Sequence, residues 1–259
     1  MTGGKNTWRI LNTGLRGGAA NMALDQALAE SVAAGRSLRL VRFYGWNPPA
    51  VSLGYHQPAS DLDLPACLRA GFEVVRRPTG GRAVLHRDEF TYSVIAPESD
   101  PLAQGGVLES YRRIAAGLLA GLERLGVRAE MSRSALPQGS AHGAALCFAA
   151  AGRYEITAGG RKLIGSAQRR MDGVMIQQGS LLLSCDQNLP LLPGGKSFPA
   201  ETATLQGLLG REVGLAEVAQ AMEQGMSGAW AAKFELRPPT AEEEERSREL
   251  AKNFSIARL

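Results

Sequence analysis

The stretch RYEITAGGRKLIGSAQR, residues 153–169, places a Gly-Gly pair between two segments that read as strands. Adjacent glycines suit the two left-handed central positions of a tight hairpin turn. A turn at Gly159 and Gly160 therefore predicts a β-hairpin with strands at 153–158 and 161–169. It is the clearest hairpin pattern in the chain.

Further strands are predicted on both sides of this hairpin. Phe90, Tyr92 and Val94 alternate with polar residues, which predicts a strand at 89–95 with one buried face. Residues 132–146 show no periodicity and are expected to form a mobile loop. Turn residues bound the remaining predicted strands, at 38–44, 50–53, 73–77, 83–86, 127–130 and 174–183.

Helices are predicted before, within and after this set of strands. Asn21 is placed to cap a helix at 22–34 that ends at Gly35. An apolar stripe at 111–125 predicts a second helix. The order of helix, hairpin-connected strands and helices predicts an α+β fold. The last helices are expected at 202–209, 215–234 and 241–253, the final one with a capping box at Thr240.

Composition limits the possible classes of protein. The chain has 259 residues, of which 44% are hydrophobic and 21% are charged, as in a soluble globular domain. Its net charge is +4, but aromatic residues, at 6%, do not interleave with the cations, which argues against nucleic-acid binding. An acidic protein partner fits the charge, and so does a basic surface without any partner.

The cysteines and histidines do not predict a metal site or a disulfide framework. Three cysteines without CxxC spacing, and three histidines without ligand spacing, give no zinc pattern. The first residues lack the apolar core of a signal peptide, and no apolar run approaches the length of a membrane span. We therefore expect a cytoplasmic protein with free thiols.

Three segments carry residues suited to chemistry. The turn at 76–84, RRPTGGRAV, can expose backbone N–H groups to an oxyanion, and its arginines suit a carboxylate or phosphate. The same residues equally suit a tight turn whose arginines lie in solvent. Cys147, among small residues, is a candidate nucleophile or a buried small hydrophobe. Cys67 and Cys185 are expected to be inert.

Lys162 follows the Gly-Gly turn and can point inward or into water. Directed inward, its ammonium group would lower the pKa of a nearby thiol and stabilise an oxyanion. Lowering that pKa by about two units would make most of the thiol reactive at neutral pH. His86 ends the strand after the glycine turn, where it can border a pocket or serve as a hydrogen-bonded structural residue.

Together these segments resemble the lipoate–protein ligase and biotin ligase catalytic superfamily, and more narrowly its cysteine-dependent octanoyltransferases of lipoate synthesis. The pair RRxTGG and GRKxxGSAQ carries the superfamily resemblance, and Cys147 upstream of Lys162 carries the narrower one. The resemblance covers most of residues 36–210. Its matching stretches are LRLVRFYGW at 38–46, PPAVSLG at 48–54, then 76–86, 89–94, 147–148, 154–155, 160–168 and 178–180.

The resemblance implies a mixed, largely antiparallel β-sheet flanked by α-helices. It divides the chain into an N-terminal helical segment at 1–35 packed on the core, a catalytic domain at 36–210 and a helical extension of the same domain at 211–259. It implies transfer of octanoyl from an acyl carrier protein to a lysine of a lipoyl domain, of the glycine cleavage H protein or a 2-oxoacid dehydrogenase E2. No ATP, metal, nucleic acid or membrane is expected.

The resemblance also implies the site residues. Cys147 would carry the octanoyl group as a thioester, and Lys162 would keep the thiol ionised. The residues expected to bind the substrate are Arg76, Arg77, Thr79, Gly80, Gly81, Arg82, Ala83, His86, Gly165, Ser166 and Ala167.

Three other functions remain open on the sequence. An ATP-dependent lipoate–protein ligase would use the glycine turn and Lys162 to hold an acyl-adenylate. An octanoyl amidotransferase would move the acyl group between lipoyl domains. A non-catalytic module would only dock on a carrier.

Overall fold

The computed structural model describes residues 6–132, 155–184 and 202–257. The strands of these ranges are β1 Thr7–Arg16, β2 Leu40–Trp46, β3 Ala50–Leu53, β4 Glu73–Arg76, β5 Val84–His86, β6 Glu89–Pro97, β7 Glu130–Met131, β8 Ile156–Ala158, β9 Arg161–Met171, β10 Val174–Leu182, β11 Lys233–Leu236 and β12 Ser255–Ala257. Their helices are α1 Gly18–Ala33, α2 Leu64–Arg69, α3 Val107–Arg124, α4 Leu205–Leu209, α5 Leu215–Trp230 and α6 Ala241–Phe254.

The strands form two sheets. The larger has the order β11-β1-β2-β6-β10-β9-β8-β7, and the smaller has the order β12-β4-β3-β5. In the larger sheet β1 runs parallel to β2 and β11, and the other pairs are antiparallel. In the smaller sheet β3 and β4 are parallel and the other pairs are antiparallel. The predicted α+β fold, with a mixed and largely antiparallel sheet flanked by helices, is confirmed.

Helices cover both faces of the larger sheet. One face carries β-strand residues such as Phe43 and Phe90 in a core shared with Leu118 of α3 and Met222 of α5. On the other face Leu24 and Leu28 of α1 pack with β-strand residues of a second cluster. Because apolar surface leaves water on both faces, the central strands are buried throughout. That burial corrects the expectation that the strand at 89–95 has only one buried face.

The predicted hairpin is confirmed as β8 and β9. Gly159 and Gly160 have φ angles of +57° and +72°, the left-handed pair that a tight turn between strands requires. β9 then pairs antiparallel with β10, with Gly165 opposite Ser180. These strands form the platform on which the candidate site lies.

The helix α1 begins earlier than predicted, and the prediction of Asn21 as its cap is wrong. Asn21 lies inside the helix, fully buried, and its amide donates to the carbonyl oxygens of Arg16 and Gly45. At the N-terminus of the helix, the backbone N–H of Gly18 instead donates a hydrogen bond to the side-chain carboxylate of Glu73 in β4, at 2.5 Å. A side chain distant in sequence therefore satisfies the helix end, which local pattern reasoning does not detect.

Three strands towards the ends of the described chain, β1, β11 and β12, were not predicted. Residues 7–16 form β1, between β2 and β11, so the segment at 1–35 contains a strand as well as a helix. The helix predicted at 215–234 ends at Trp230, where Ala231 adopts φ +47°, and the chain continues as β11. The division at residues 35 and 210 stays a prediction. None of the helices in the described ranges is long and apolar enough to cross a bilayer.

Candidate functional site

A pocket lies where α1, the glycine turn and the two sheets meet. Strands β9, β10 and β6 form one wall, and the glycine turn, β2 and β5 form others. The residues that line it are Met22, Tyr44, Trp46, Arg77, Thr79, Val84, His86, Thr91, Gly165, Ser166, Ala167, Gln178, Gly179 and Ser180.

Small residues of β9 and β10 leave the space for this pocket. Gly165 is paired with Ser180, and Ala167 is paired with Gln178. At both pairs the side chain on β9 is absent or a single methyl group. Gly179 must be a glycine, because a Cβ there would lie 2.4 Å from the ring of Tyr92 behind the strand. Gly165 and Ala167 thus leave space for a ligand over this part of the sheet.

The glycine turn is held from inside by its own arginines. Arg77 is buried and donates to the carbonyl oxygens of Gly80, Arg82 and Ser52, at 2.6 to 3.0 Å. Arg76 donates to the carbonyl oxygens of two residues of the neighbouring loop, Gly54 and Gln57, both at 2.7 Å. Both guanidinium groups therefore fix the backbone of the turn.

The turn also packs unusually close to the loop after β3. A Cβ on Gly54 would lie 1.8 Å from the carbonyl oxygen of Gly81, so only glycine fits. Through this contact the conformation of the turn depends on the chain around residue 54.

One side of the pocket is built on a buried carboxylate. Asp25 of α1 forms an ion pair with Arg42 at 2.7 Å, and both side chains are fully buried. Gln178 donates to Asp25 at 2.7 Å, and Thr79 donates to Gln178 at 2.8 Å. Burial and the nearby Asp25 charge raise the pKa of Tyr44, which donates to the same carboxylate. The polar groups are thereby turned away from the pocket, leaving an apolar surface.

A second buried carboxylate lies behind the opposite part of the wall. Glu89 Oε1 accepts hydrogen bonds from Thr91 at 2.5 Å and Ser180 at 2.9 Å, and lies 2.8 Å from His86 Nδ1. The ring of His86 stacks on Trp46 at 3.9 Å, and its Nε2 lies 2.7 Å from the Ser52 hydroxyl. His86 therefore borders the pocket while being fully held by hydrogen bonds.

Lys162 lies on β9, three residues before Gly165, and points inward. Its side chain is 2% exposed, and its Nζ donates to Glu155 at 2.5 Å. A buried ammonium group acts through a lower dielectric than water and is felt more strongly by a neighbour. Cys147 lies outside the described residues, as does Cys185. The pairing of Cys147 with Lys162 stays a prediction.

The sequence-predicted site residues fall into two groups. Those that line the pocket are Arg77, Thr79, His86, Gly165, Ser166 and Ala167. Arg76 and Gly80 lie beside it in the turn, Ala83 is fully buried in a separate cluster, and Gly81 and Arg82 are exposed. Cys67 is buried, and burial followed by the charge of Asp63 raises the pKa of its thiol, in line with an inert role.

Sequence reasoning missed the pocket residues outside those motifs. One pattern could have found some of them: Thr91, Gln178 and Ser180 are polar residues at alternate positions of otherwise apolar strands. Nothing in the sequence distinguishes Met22, whose role depends on the position of α1. The residues missed are Met22, Tyr44, Trp46, Val84, Thr91, Gln178, Gly179 and Ser180.

Comparison with known proteins gives consistent results. The model of the lipoyl protein ligase A/B catalytic domain matches residues 18–227. The octanoyltransferase LipM of Symbiobacterium thermophilum is 46% identical over 243 residues, 87% of each chain. That of Moorella thermoacetica is 38% identical over 263 residues, 97% of this chain and 96% of its own. A putative lipoate protein ligase from T. acidophilum, solved with bound lipoic acid, has a TM-score of 0.77 at 24% identity over 95% of both chains and shares the fold.

Proposed function

This chain belongs to the lipoyl protein ligase A/B catalytic domain family, and on that premise we propose that it is an octanoyltransferase of lipoate synthesis. Two relatives that match it over most of their length carry that name. The observation that carries the proposal within this chain is the apolar pocket lined by Gly165, Ser166 and Ala167 of β9, the strand that also carries the buried Lys162. The chain is an acyltransferase, and its acceptor is a lipoyl-domain protein.

The pocket supports an aliphatic acyl substrate. Tyr44 and Gln178 donate hydrogen bonds to Asp25, and Thr91 and Ser180 donate to Glu89. The donors of Trp46, Arg77 and Thr79 are bonded within the protein as well, which leaves a mainly apolar surface for the ligand. Burying a CH₂ group is worth about 0.8 kcal/mol, so a seven-carbon tail would gain roughly 6 kcal/mol. A saturated chain of about this length needs no polar partner along its tail.

The chemistry we propose uses a cysteine thioester. The Cys147 thiolate attacks the octanoyl thioester on the pantetheine of an acyl carrier protein, and the pantetheine thiolate leaves. The ε-amine of the acceptor lysine then attacks the enzyme thioester, an amide forms, and the Cys147 sulfur leaves as a thiol with a proton from the amine. Lys162 stabilises the thiolate and the oxyanion, with Glu155 fixing its position. The reaction needs neither ATP nor a metal, and we place it in the cytoplasm.

A nucleotide-free loading assay tests this proposal. Incubation with octanoyl-acyl carrier protein should add one octanoyl group to Cys147, detected by mass spectrometry of the intact chain and its peptides. Cys147→Ala should abolish both loading and transfer to a lipoyl domain, whereas Cys67→Ala, a buried thiol, should leave both unchanged. Iodoacetamide at neutral pH should label Cys147 before Cys67.

Other outcomes would overturn the proposal in identifiable ways. Acylation of the acceptor only with free octanoate or lipoate and ATP would make the chain a ligase. Loading from an octanoylated lipoyl domain but not from the carrier protein would make it an amidotransferase. Full activity of Cys147→Ala would remove the thioester mechanism.

A further inference from the structure

Glu89 is hydrogen-bonded on one oxygen only. Oε1 has three close partners, Thr91, Ser180 and His86. The Glu89 side chain is about 1% exposed, and its Oε2 is buried and receives no hydrogen bond from the described residues. A buried carboxylate oxygen left unpaired is destabilising, and such groups mark sites where a proton or a ligand is handled.

Sheet register places Glu89 at the same end of the strands β6, β10 and β9 as Lys162. Leu182 is paired with Glu89 across one ladder, and its neighbour Leu181 is paired with Ile164 across the other. Lys162 is two residues before Ile164 on β9. Neighbouring strands lie about 4.8 Å apart, so Glu89 and this part of β9 are separated by roughly two strand spacings. This is the end at which the acyl carbonyl must lie if Lys162 stabilises its oxyanion.

Ser180 connects Glu89 to the pocket. Its hydroxyl donates to Glu89 Oε1, and the residue lines the pocket opposite Gly165. Thr91 also donates to Glu89, but its hydroxyl already accepts a hydrogen bond from the indole N–H of Trp46. Among the hydrogen bonds of the described residues, none is donated to the Ser180 hydroxyl. That oxygen can accept a proton from a ligand while passing its own proton to the carboxylate.

We propose that Glu89 is the final acceptor of the proton lost by the incoming lysine ammonium group, and that the Ser180 hydroxyl carries this proton. The inference rests on the proposed function. At neutral pH only about one lysine amine in 2,500 is unprotonated, so an aminolysis step requires a proton acceptor. In this path Ser180 contacts the substrate. Glu89 acts on the substrate only through Ser180 and is therefore a positioning residue.

The step balances in atoms and charge. The lysine N–H bond breaks as a Ser180 O–H bond forms, and the original Ser180 proton moves to Glu89, which becomes a neutral acid. The free amine attacks the thioester carbonyl, forming the N–C bond, and collapse breaks the C–S bond. The second ammonium proton goes to the departing sulfur, giving a thiol. One ammonium, one thioester and one carboxylate become one amide, one thiol and one carboxylic acid.

Other charged and titratable groups surround Glu89. His86 contacts it from the end of β5, and Arg77 of the glycine turn reaches His86 through the Ser52 hydroxyl. Tyr44 of β2 lies within the electrostatic reach of Glu89. A change of pH alone would alter several of these groups, so a comparison of two amines is a sharper test than a pH profile.

The experiment measures loading and transfer separately in Glu89→Gln and Ser180→Ala. The amide of glutamine keeps an acceptor oxygen for Ser180, Thr91 and His86 but does not take up a proton. Loading from octanoyl-acyl carrier protein should stay within twofold of the wild-type rate. Transfer from the loaded enzyme to the lysine of a lipoyl domain should fall by about 100-fold or more. Transfer to hydroxylamine, which is already unprotonated at neutral pH, should be unchanged.

Ser110→Ala, which removes a buried hydroxyl from α3, is the matched control and should behave as wild type. Equal losses with lysine and hydroxylamine, or an unchanged rate with lysine in Glu89→Gln, would overturn the proton path. Failure of the wild-type chain to load octanoyl at all would overturn the proposed function as well, and is seen before any variant is made.

Discussion

At the scale of single residues, the pocket depends on the Asp25–Arg42 ion pair. Both side chains are fully buried, and the guanidinium also lies 3.9 Å from the centre of the Tyr44 ring. Removing one partner of such a pair leaves an uncompensated charge out of water. The pocket wall around Tyr44 and Gln178 is therefore sensitive to substitutions of residues that do not contact a ligand.

Arg42→Met should destabilise the protein by about 3–5 kcal/mol, because Asp25 then stays buried without its counter-charge. Urea unfolding followed by circular dichroism measures this as a lower midpoint with an unchanged slope. Arg36→Met is the control, since its ion pair with Glu242 is exposed and worth at most about 1 kcal/mol. Similar midpoints for the two variants would contradict the expectation.

Gln178 should influence the length of the acyl chain, because it lines the pocket and its side chain is fixed there on Asp25. Gln178→Ala opens space for two further CH₂ groups, worth about 1.6 kcal/mol in total. The ratio of decanoyl to octanoyl transfer should rise about tenfold in competition assays. Gln177→Ala, on the opposite face of β10 with its amide on Tyr92, should leave the ratio unchanged. A shift in Gln177→Ala alone would contradict this assignment.

At the scale of secondary structure elements, α3 and α5 pack with their backbones close together. A Cβ on Gly225 would lie 2.2 Å from the backbone nitrogen of Gly121. A backbone atom inside a helix cannot shift as the end of a side chain can. Small residues at such a crossing let two backbones approach and bury the side chains around them. The position requires glycine for packing, not for its backbone angles.

Two alanine variants on α5 should change stability in opposite directions. Gly225→Ala forces the helices apart and should destabilise the protein by about 1–3 kcal/mol. Gly228→Ala, three residues along the same helix with open space around it, should stabilise it by about 0.5–1 kcal/mol through helix propensity. Thermal unfolding of both variants tests the pair, and the same sign of change in both would contradict it.

The sequence predicts elements well where the determining contacts are local. The Gly-Gly hairpin and the Thr240 capping box are both confirmed, because turn and cap chemistry act within a few residues. β1 was missed because its two neighbours are parallel strands, and parallel pairing leaves no turn to recognise in the sequence.

The residues of the candidate site also divide into those fixed by local sequence and those fixed by contacts between distant elements. Its glycine motifs, which include Thr79 and Gly165, are readable from sequence because they are short and contiguous. Asp25, Trp46 and Glu89 contribute through register and through contacts between distant elements. No local pattern distinguishes them from ordinary buried residues.

At the scale of the whole molecule, an ion pair joins the two ends of the described chain. Arg9 of β1 is bound by Glu243 of α6 at 2.7 Å, and both side chains are buried. Burial raises the pKa of Glu243, but hydrogen bonds from the Arg9 guanidinium and the Thr240 backbone N–H outweigh it and hold that pKa below its usual value. The stability from this pair is present above the unfolded pKa of about 4.3 and is lost as the pH falls through the lower folded value.

Glu243→Gln should therefore lower the free energy of unfolding most at neutral pH. The difference in free energy of unfolding between Glu243→Gln and the wild type should shrink as the pH falls below about 4, because the wild-type carboxylate then takes up a proton. Urea titrations at a series of pH values give this difference directly. A difference that stays constant with pH would show that the carboxylate charge contributes nothing.

The position of β1 has a consequence for biosynthesis. Its inner neighbour β2 follows soon after it, but its outer neighbour β11 belongs to the last part of the chain. A nascent polypeptide still emerging from the ribosome thus leaves the apolar strand β1 at the sheet edge until the more exposed β11 covers it, and such an edge recruits other strands. Premature termination before Lys233 should yield insoluble product, however intact the pocket-forming segments are.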